Sequence, residues 1–591
     1  MLEQIKSICD LQKLDIKQLP TLCQEIRDKL VEEVPITGGH LASNLGVVEL
    51  SVALHYVFGE DDKIVWDVGH QCYVHKILTN RGENFLSLRS ENGISGFPDT
   101  TESDQDAFGT GHAGTAISAA MGLAKARDQL GQNHKVVAVV GDGSMTNGMV
   151  FEALNNIKDT NMLIILNDNN MSIGKNVGSA TRNMSKLRVG KYDKNKEGLK
   201  KFLLKVPLIG KPIYKFLKWC KRKIKMGHAL NSYFDNFDLK YVGIVDGHDI
   251  KDLVYYLTKI RDNVTKPTLL HIATKKGKGY LPAEQDAESF HSVPRNGAHL
   301  TKESATVVGE TLCELAQENN SIVAISAAMT KAVGLADFAS KFPDRFFDVG
   351  IAEEHAVTFA AGLARGGIRP FVAIYSTFLQ RSYDQILHDV AIQNLPVTFL
   401  IDRAGFVGDD GKTHQGLFDL SYLSSIPNVT VWTPCTYLQL RQMIKQSLTV
   451  NGPVCIRYSR TLLEDGLSFA NNWNRLSIVD NNTYVFAVGA RCVEIAKHVC
   501  DRTNVYAVTQ IKPMDFALLD SLPDGAQIVT MEENVCIGGF GQQLKAYLAS
   551  TNKKATVKTL AVDDRFVSHA SVNAQMQKNN ITLDYLLDIL Q

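Results

Sequence analysis

Short, continuously apolar segments recur along almost the whole chain and alternate with longer segments of helical pattern. They have the length of strands and are rich in β-branched residues, as at 135–140, 162–166, 269–274, 322–326, 397–401, 484–488 and 527–531. An uninterrupted apolar run is typical of a parallel strand buried on both faces, because a strand with one face in solvent alternates instead. Strand–helix alternation of this extent predicts several open, mostly parallel α/β sheets in series.

Two polar stretches have the composition of linkers, one at 292–302 (SVPRNGAHLTK) and one at 467–482, where Asn, Asp and Ser are frequent. A chain of 591 residues is long enough for three or four domains. We therefore expect three α/β domains, at 1–300, 301–470 and 471–591.

Charge is distributed very unevenly. The chain holds 63 Lys and Arg against 63 Asp and Glu, yet 175–225 holds 17 basic residues against only Asp193 and Glu197. We interpret this as a basic insertion at about 175–228 whose amphipathic helices cover the mouth of an active site or a partner surface. The alternative is contact with anionic lipid or nucleic acid.

The cysteines and the N-terminus bear on the cellular setting. The ten cysteines form no C-x-x-C pair, and the N-terminal MLEQIKSICDLQKLD lacks the apolar core of a signal peptide. No apolar run approaches the ~20 residues of a membrane span. We expect a soluble, cytoplasmic protein with reduced thiols and with neither a membrane nor a nucleic-acid partner.

A glycine-rich turn follows the apolar run at 135–140. Gly141 and Gly143 permit a tight turn and close approach of a ligand, and Asp142 can hold a divalent cation. Asn169 ends the next apolar run, after enough residues for one crossover helix and a return strand. Parallel strands bind ligands at their carboxyl ends, so the pair predicts a clamp for Mg²⁺ and a diphosphate, and it resembles the thiamine-diphosphate signature.

Thiamine diphosphate needs a carboxyl group beside its aminopyrimidine, in a cleft where desolvation favours the neutral acid. The segment RFFDVGIAEEHAVTFAAGLARGG predicts a helix that begins near Glu353. Adjacent helical residues point about 100° apart, so we assign the role to Glu353 and interpret Glu354 as an ordinary first-turn acid. Phe378, further along, is either a ring that stacks on the pyrimidine or a core residue.

Further motifs resemble the transketolase-like, thiamine-diphosphate-dependent enzymes nearly end to end. They are GGHLASNLGVVELSVALHYVF (38–58), WDVGHQCYVHKILTNR (66–81), VGIVDGHD (242–249), TKKGKGYLPAE (274–284), IYSTFLQRSYDQILHDVAIQ, DRAGFVGDDGKTHQG (402–416) and MEENVCIGGFG (531–541). The block 375–416 is the most discriminating, because transketolases proper do not share its wording. It indicates the branch of the family that condenses pyruvate with D-glyceraldehyde 3-phosphate and releases CO₂.

The resemblance implies a role for individual residues. Cofactor contacts are implied for His70, Gly111, His112, Ala113, Gly143, Ser144, Asn169, Tyr280, Glu353 and Phe378. Mg²⁺ ligands are implied to be Asp142, Asn169 and the carbonyl of Met171. Proton transfer is implied for Glu353, His40, His291 and His414, and acceptor binding for Tyr375, Arg381, Arg403, Asp410 and Arg460, with Arg457 as an alternative to Arg460.

The resemblance also implies three domains: one that binds the diphosphate, one that binds the pyrimidine, and one that matches the transketolase C-terminal domain. It further implies a homodimer. Ala113 and Gly114 stand where the family commonly has serines. Two alternatives stay open, a ketol transfer between sugar phosphates and a non-catalytic anion-binding protein.

Overall fold

The computed structural model describes residues 1–169, 171, 234, 236–263, 265–297, 302–464, 466–469 and 473–591. The basic insertion expected at 175–228 lies outside these residues. The chain divides into two compact units, Met1–Arg89 with Gly93–Ala298 (unit 1) and Ser90–Asn92 with His299–Gln591 (unit 2). The domain boundaries expected after residues 300 and 470 stay predictions.

Unit 1 is built on a five-stranded sheet in the order β1-β2-β3-β5-β4, in which every neighbouring pair is parallel. Its strands are β1 (Lys63–Trp66), β2 (Val136–Gly141), β3 (Leu163–Asp168), β4 (Lys240–Asp246) and β5 (Thr268–Ala273). Its helices are α1 (Ile8–Gln12), α2 (Leu19–Thr37), α3 (Leu41–Leu45), α4 (Val48–Val57), α5 (Tyr73–Lys76), α6 (Ala116–Gln129), α7 (Gly148–Asn155), α8 (Ile250–Asn263) and α9 (Leu281–Gln285).

Both faces of this sheet are buried, as the uninterrupted apolar runs predict. In β2, Val137 and Val139 belong to one core, whereas Val136, Ala138 and Val140 belong to another. Successive strand residues point to opposite faces, so a strand buried on both sides must be apolar throughout.

Unit 2 contains two sheets. Its strands are β6 (Ile322–Ser326), β7 (Phe346–Asp348), β8 (Arg369–Tyr375), β9 (Thr398–Asp402), β10 (Thr430–Trp432), β11 (Val454–Arg457), β12 (Asn474–Arg475), β13 (Thr483–Val488), β14 (Asn504–Val508), β15 (Gln510–Lys512), β16 (Ala526–Val535) and β17 (Ala555–Val562). One sheet has the order β15-β10-β11-β9-β8-β6-β7 and the other β12-β14-β13-β16-β17. Only the edge strands β15 and β12 pair antiparallel within the described part of these sheets.

The helices of unit 2 continue the alternation of strand and helix. They are α10 (Ser304–Glu318), α11 (Ala336–Lys341), α12 (Glu353–Arg365), α13 (Ser376–Leu379), α14 (Tyr383–Gln385), α15 (Asp419–Ser425), α16 (Tyr437–Ser447), α17 (Ala490–Lys497), α18 (Phe516–Ser521), α19 (Phe540–Ser550), α20 (Val572–Lys578) and α21 (Leu583–Leu590). The two sheets contribute to one apolar core, which includes Phe399 and Ile401 from one and Phe486 and Val488 from the other.

The predicted fold class of three open, mostly parallel α/β sheets is confirmed. Each of the seven apolar runs forms a strand, and the largest change is in β16, which spans ten residues from Ala526 to Val535. None of the described helices is both long and apolar enough to cross a membrane.

Candidate active site

The carboxyl ends of β2 and β3 place Asp142 and Asn169 at the same edge of the unit 1 sheet. The two strands are neighbours and parallel, with Gly141 opposite Asn167, and the Asp142 N–H donates to the Asn167 carbonyl at 3.1 Å. Asp142 is buried, and the turn Gly143–Thr146 that follows it leads into α7. The adjacency expected of this pair is therefore present.

The end of β3 is fixed on both faces by side chains. Asn167 accepts a hydrogen bond from the Thr274 hydroxyl at 2.6 Å, and Asp168 Oδ2 lies 3.0 Å from His271 Nε2. The Asn169 amide oxygen accepts the Met171 N–H at 3.0 Å, so these two expected metal ligands lie next to each other.

The oxygen donors of Asp142, Asn169 and Met171 at this edge of the sheet fit Mg²⁺ only if a phosphate group also coordinates the ion. Among the described residues, no three His, Cys, Asp or Glu side chains are grouped so that they could hold a metal ion. One carboxylate, one amide oxygen and one backbone carbonyl are hard oxygen donors, and Mg²⁺ commonly completes such a set with substrate phosphates and water.

The loop that contains Gly111, His112 and Ala113 is organised by a buried carboxylate. Asp67 accepts the N–H groups of Gly114 at 3.0 Å and of Ala116 at 3.1 Å. Gly114 has a φ of +86°, and a Cβ there would lie 2.3 Å from Asn147 Oδ1. Glycine therefore stands in this chain where a serine of the family could not be accommodated without rearrangement.

Three histidines expected to act on protons or on the cofactor form a cluster in unit 1. The ring centroids of His40, His70 and His291 lie 5.3 to 5.7 Å apart. Burial lowers the pKa of both His70 and His291 well below the usual value, and neighbouring positive groups act in the same direction. His291 Nδ1 lies 3.2 Å from the Ser43 hydroxyl, which fixes the orientation of this neutral ring.

Lys276 belongs to the same electrostatic environment and was missed by the sequence reasoning. Burial lowers its pKa to about 8, although the charges of Asp142 and Glu288 oppose the change. In the motif TKKGKGY, only Tyr280 is an expected site residue. The available signal was a lysine directly before Gly277, in the loop that follows β5. Tyr280 itself is half-buried, and its ring packs against Phe290 at 5.8 Å.

Glu353 begins α12 in unit 2, as expected, and its side chain is buried with a 3% exposed fraction. Its Oε2 makes no hydrogen bond within the described part of the chain and lies 3.7 Å from Arg381 Nη1. Burial raises the pKa of Glu353 against the opposing charge of Arg381. This carboxyl group therefore has the environment that an activator of an aminopyrimidine requires, which Glu354, only half-buried, does not share.

An aromatic stack lies at the end of β8. The rings of Tyr375 and Phe378 are parallel within 5° at 5.9 Å, and His414 meets Phe378 edge-on at 5.6 Å. The Thr413 hydroxyl lies 2.8 Å from His414 Nδ1. Phe378 also packs against the core of unit 2, so both interpretations of this residue stay open.

The arginines expected at the acceptor site differ in their burial and in their ion-pair partners. The Arg403 guanidinium lies 4.9 Å from the Tyr375 ring centroid, and Arg460 is half exposed. Glu303, which the sequence reasoning missed, forms ion pairs with both arginines. Arg457 is buried in an ion pair with Asp419 at 2.9 Å, so the geometry favours Arg460 for a phosphate contact. Asp410 is half-buried in the loop after Arg403.

Three family models match successive parts of the chain. Residues 2–274 match the family model described as 1-deoxy-D-xylulose-5-phosphate synthase. Residues 301–465 match the transketolase pyrimidine-binding domain, and residues 488–584 match the transketolase C-terminal domain. The fold and the site thus define a transketolase-type α/β enzyme, a class that depends on thiamine diphosphate.

Relatives over the full length identify the family within that class. The 1-deoxy-D-xylulose-5-phosphate synthase of Clostridium kluyveri is 46% identical over 96% of this chain and 95% of its own. Those of Caldanaerobacter subterraneus and Clostridium tetani are each 44% identical, over 100% and 97% of this chain and 98% and 96% of theirs. The chain belongs to the 1-deoxy-D-xylulose-5-phosphate synthase family, and the resemblance inferred from its motifs is confirmed.

Proposed function

We propose that this chain condenses pyruvate with D-glyceraldehyde 3-phosphate and releases CO₂ and 1-deoxy-D-xylulose 5-phosphate, with thiamine diphosphate and Mg²⁺ as cofactors. The observation that carries the proposal is the buried carboxyl group of Glu353 in the same unit as an arginine pair suited to a phosphate. A carboxyl group with a raised pKa is what the aminopyrimidine needs, and arginines bind phosphate strongly.

Unit 1 supplies the residues proposed for the diphosphate and the metal. Asp142, Asn169 and the Met171 carbonyl would hold Mg²⁺. Contacts to the cofactor are proposed for His70, Gly111, His112, Ala113, Gly143, Ser144 and Tyr280. Lys276 is a further cation in this environment, because its side chain is buried and its pKa is influenced by Asp142.

Proton transfer is proposed for side chains whose protonation state is set by burial and by neighbouring groups. When bound, thiamine diphosphate supplies the nucleophilic carbon and the electron sink for decarboxylation. Burial favours a proton on the Glu353 carboxyl group. A neutral His291 can accept a proton at Nε2 in the tautomer whose Nδ1–H donates to the Ser43 hydroxyl. His40 and His414 are the other groups proposed to transfer protons around pyruvate and the aldehyde.

The acceptor aldehyde would bind through its phosphate. Arg403 and Arg460 would bind the phosphate oxygens, while Tyr375, Arg381 and Asp410 would contact the rest of the molecule. Arg403 stays charged at any physiological pH because Asp402 raises its pKa against the effect of burial. The assembly is proposed to be a homodimer, as the resemblance implies, which light scattering on the purified protein would test.

The test is CO₂ release from carboxyl-labelled pyruvate, with the aldehyde, Mg²⁺ and thiamine diphosphate each omitted in turn. We expect release to require both cofactors and product to require the aldehyde. Glu353→Gln should abolish turnover, whereas Glu354→Gln, the half-buried neighbour, should retain it. No release with all components present would refute the proposal, and ketol transfer between sugar phosphates would indicate transketolase chemistry instead.

A further inference from the structure

The loop at 403–416, which we call the acceptor loop, connects β9 to α15 and carries Arg403, Asp410 and His414. Its two ends meet in an antiparallel bridge between Gly405 and Gly416. Arg403 and the loop glycines at 405, 408 and 411 all have φ between +59° and +85°. A backbone of this shape cannot continue as a regular strand beyond that bridge, so its polar groups need side-chain partners.

Gln575 supplies partners for the middle of the acceptor loop. Its Oε1 accepts the Gly408 N–H at 3.1 Å, and its Nε2 donates to the Gly408 carbonyl at 3.0 Å. The same amide donates to the Ser568 carbonyl at 2.9 Å. The side chain is 1% exposed and lies on α20, so one buried amide joins the loop to the C-terminal part of unit 2.

The two residues before Gly408 are held in the same manner. The Phe406 N–H donates to Glu533 Oε1 at 3.3 Å, and Arg491, which is paired with Glu533, donates to the Phe406 carbonyl at 3.3 Å. The Val407 N–H donates to Gln415 Oε1 at 2.9 Å. Three consecutive residues of the loop therefore have their backbone groups bound by buried or half-buried side chains.

The loop also fits closely against the segment at 567–572. A Cβ at Gly411 would lie 2.8 Å from the backbone nitrogen of His569, and one at Gly408 would lie 3.3 Å from the Ala570 carbonyl oxygen. The contacts at Gly408 and Gly411 leave the main chain of the loop little room to shift. Residues that match the transketolase C-terminal domain thus shape a loop that lies in the match to the pyrimidine-binding domain.

We propose that Gln575 is a positioning residue for the acceptor phosphate, because it sets the backbone of the loop that presents Arg403. It acts through the loop and does not itself contact the substrate. The inference rests on the proposed function, in which Arg403 binds the phosphate of the aldehyde. It predicts that discrimination between a phosphorylated and an unphosphorylated aldehyde depends on an amide in the C-terminal part of the chain.

The test compares KM for D-glyceraldehyde 3-phosphate with KM for D-glyceraldehyde in the holoenzyme. Displacing a binding group by about 1 Å can cost up to about 100-fold, and we expect Gln575→Met to raise KM for the phosphorylated aldehyde about tenfold. KM for D-glyceraldehyde and for pyruvate should change less than about twofold, because those contacts do not depend on the phosphate. Gln575→Glu keeps an acceptor for the Gly408 N–H and should give an intermediate ratio.

A control and a second measurement separate positioning from general stability. Gln439→Met removes another fully buried amide that binds the backbone, in this case at Cys435 and Thr436, and should lower the melting temperature without changing the KM ratio. Inorganic phosphate should raise the melting temperature of the cofactor-free protein. This increase should be smaller in Gln575→Met than in the wild type, and unchanged in Gln439→Met. An unchanged KM ratio in folded Gln575→Met or Gln575→Glu overturns the proposal, whereas an inactive wild-type enzyme overturns the proposed function instead.

Discussion

Glu303 bridges the two arginines proposed for the acceptor phosphate. Its Oε2 lies 3.5 Å from Arg403 Nη2, and its Oε1 lies 2.6 Å from Arg460 Nη2. Burial tends to raise the pKa of Glu303, but Arg460 and Arg403 outweigh this effect and lower it, so the carboxylate is charged at neutral pH. Glu303 therefore balances part of the positive charge that an incoming phosphate meets, and Asp402 also lies 3.1 Å from Arg403 Nη1.

We expect Glu303→Gln to tighten binding of the phosphorylated acceptor. The amide oxygen can still accept a hydrogen bond from an arginine, while removal of one negative charge makes the local potential more positive. At an effective dielectric constant near 20 the gain should correspond to a decrease in KM of about threefold to tenfold, smaller at high salt. The measurement is KM for D-glyceraldehyde 3-phosphate at two ionic strengths, and a KM that increases at both contradicts the expectation.

Glu353 should make the stability of the protein depend on pH in a particular direction. Its pKa is raised in the folded state, so its stabilising contribution is present below the unfolded pKa and is lost as the pH rises from there through the folded pKa. Glu353→Gln should therefore gain stability relative to the wild type between about pH 4.5 and neutrality. Urea unfolding of the cofactor-free proteins at several pH values tests this, with Glu354→Gln as the control. A difference that is constant with pH, or that grows in favour of the wild type, would show that the carboxyl group is not buried as described.

The apolar runs were sufficient to predict the sheets, because a strand that is buried on both faces must be apolar at every position. Asp142, Asn169 and Glu353 were predictable because each follows or begins a regular element at a known spacing. Glu303 was not, since it lies directly after the polar linker at 292–302 and only the tertiary fold brings it to Arg460, 157 residues away. The same holds for Gln575, whose partner Gly408 is 167 residues distant, and for the antiparallel edge strands, which are only two or three residues long.

The metal site should form only together with the diphosphate. Asp142 is the single carboxylate proposed as a ligand, and one carboxylate with neutral oxygens binds a divalent ion weakly on its own. Using Mn²⁺ as a probe in electron paramagnetic resonance titrations, we expect affinity to increase by about tenfold or more when thiamine diphosphate is added. Asp142→Asn should remove that increase, and Asp159→Asn, at an exposed position, should not. Equally tight binding of Mn²⁺ without the cofactor would contradict the proposed ligand set.

A buried charge network around Asp106 should dominate the stability of unit 1. Asp106 accepts hydrogen bonds from Arg81 at 2.8 and 2.9 Å and lies 3.5 Å from the fully buried Lys76 amine. Despite burial, which acts in the opposite direction, His75 and Arg81 lower the pKa of Asp106. Asp106→Asn leaves two buried cations without this partner, and we expect a loss of about 3–5 kcal/mol in the free energy of unfolding at pH 7.

The pH dependence follows from the sign of that shift. Because the pKa of Asp106 is lower in the folded state, its carboxylate stabilises the fold at pH values above the unfolded pKa of about 4. This stabilisation is lost as the pH falls from there towards the folded pKa, so the wild type and Asp106→Asn should converge below about pH 4. Asp104→Asn, at a neighbouring exposed aspartate, should cost less than about 0.5 kcal/mol. Denaturant unfolding at pH 7 and in acid measures the free energy of unfolding of each variant relative to the wild type. A loss below 1 kcal/mol for Asp106→Asn at pH 7 would refute the role of the network.

Gly114→Ser should be harmful even though the family commonly has serines in this loop. Gly114 adopts a φ of +86°, and the added Cβ would meet Asn147 Oδ1, which accepts the Met149 N–H at the start of α7. Left-handed geometry costs a residue with a side chain about 1–2 kcal/mol, and displacing the cap adds about 1 kcal/mol more. Ala113→Ser, at the preceding position, avoids both penalties and is the matched control. Urea unfolding and titration with thiamine diphosphate should show losses of stability and cofactor affinity for Gly114→Ser that Ala113→Ser does not share, and the reverse order would exclude the described loop geometry.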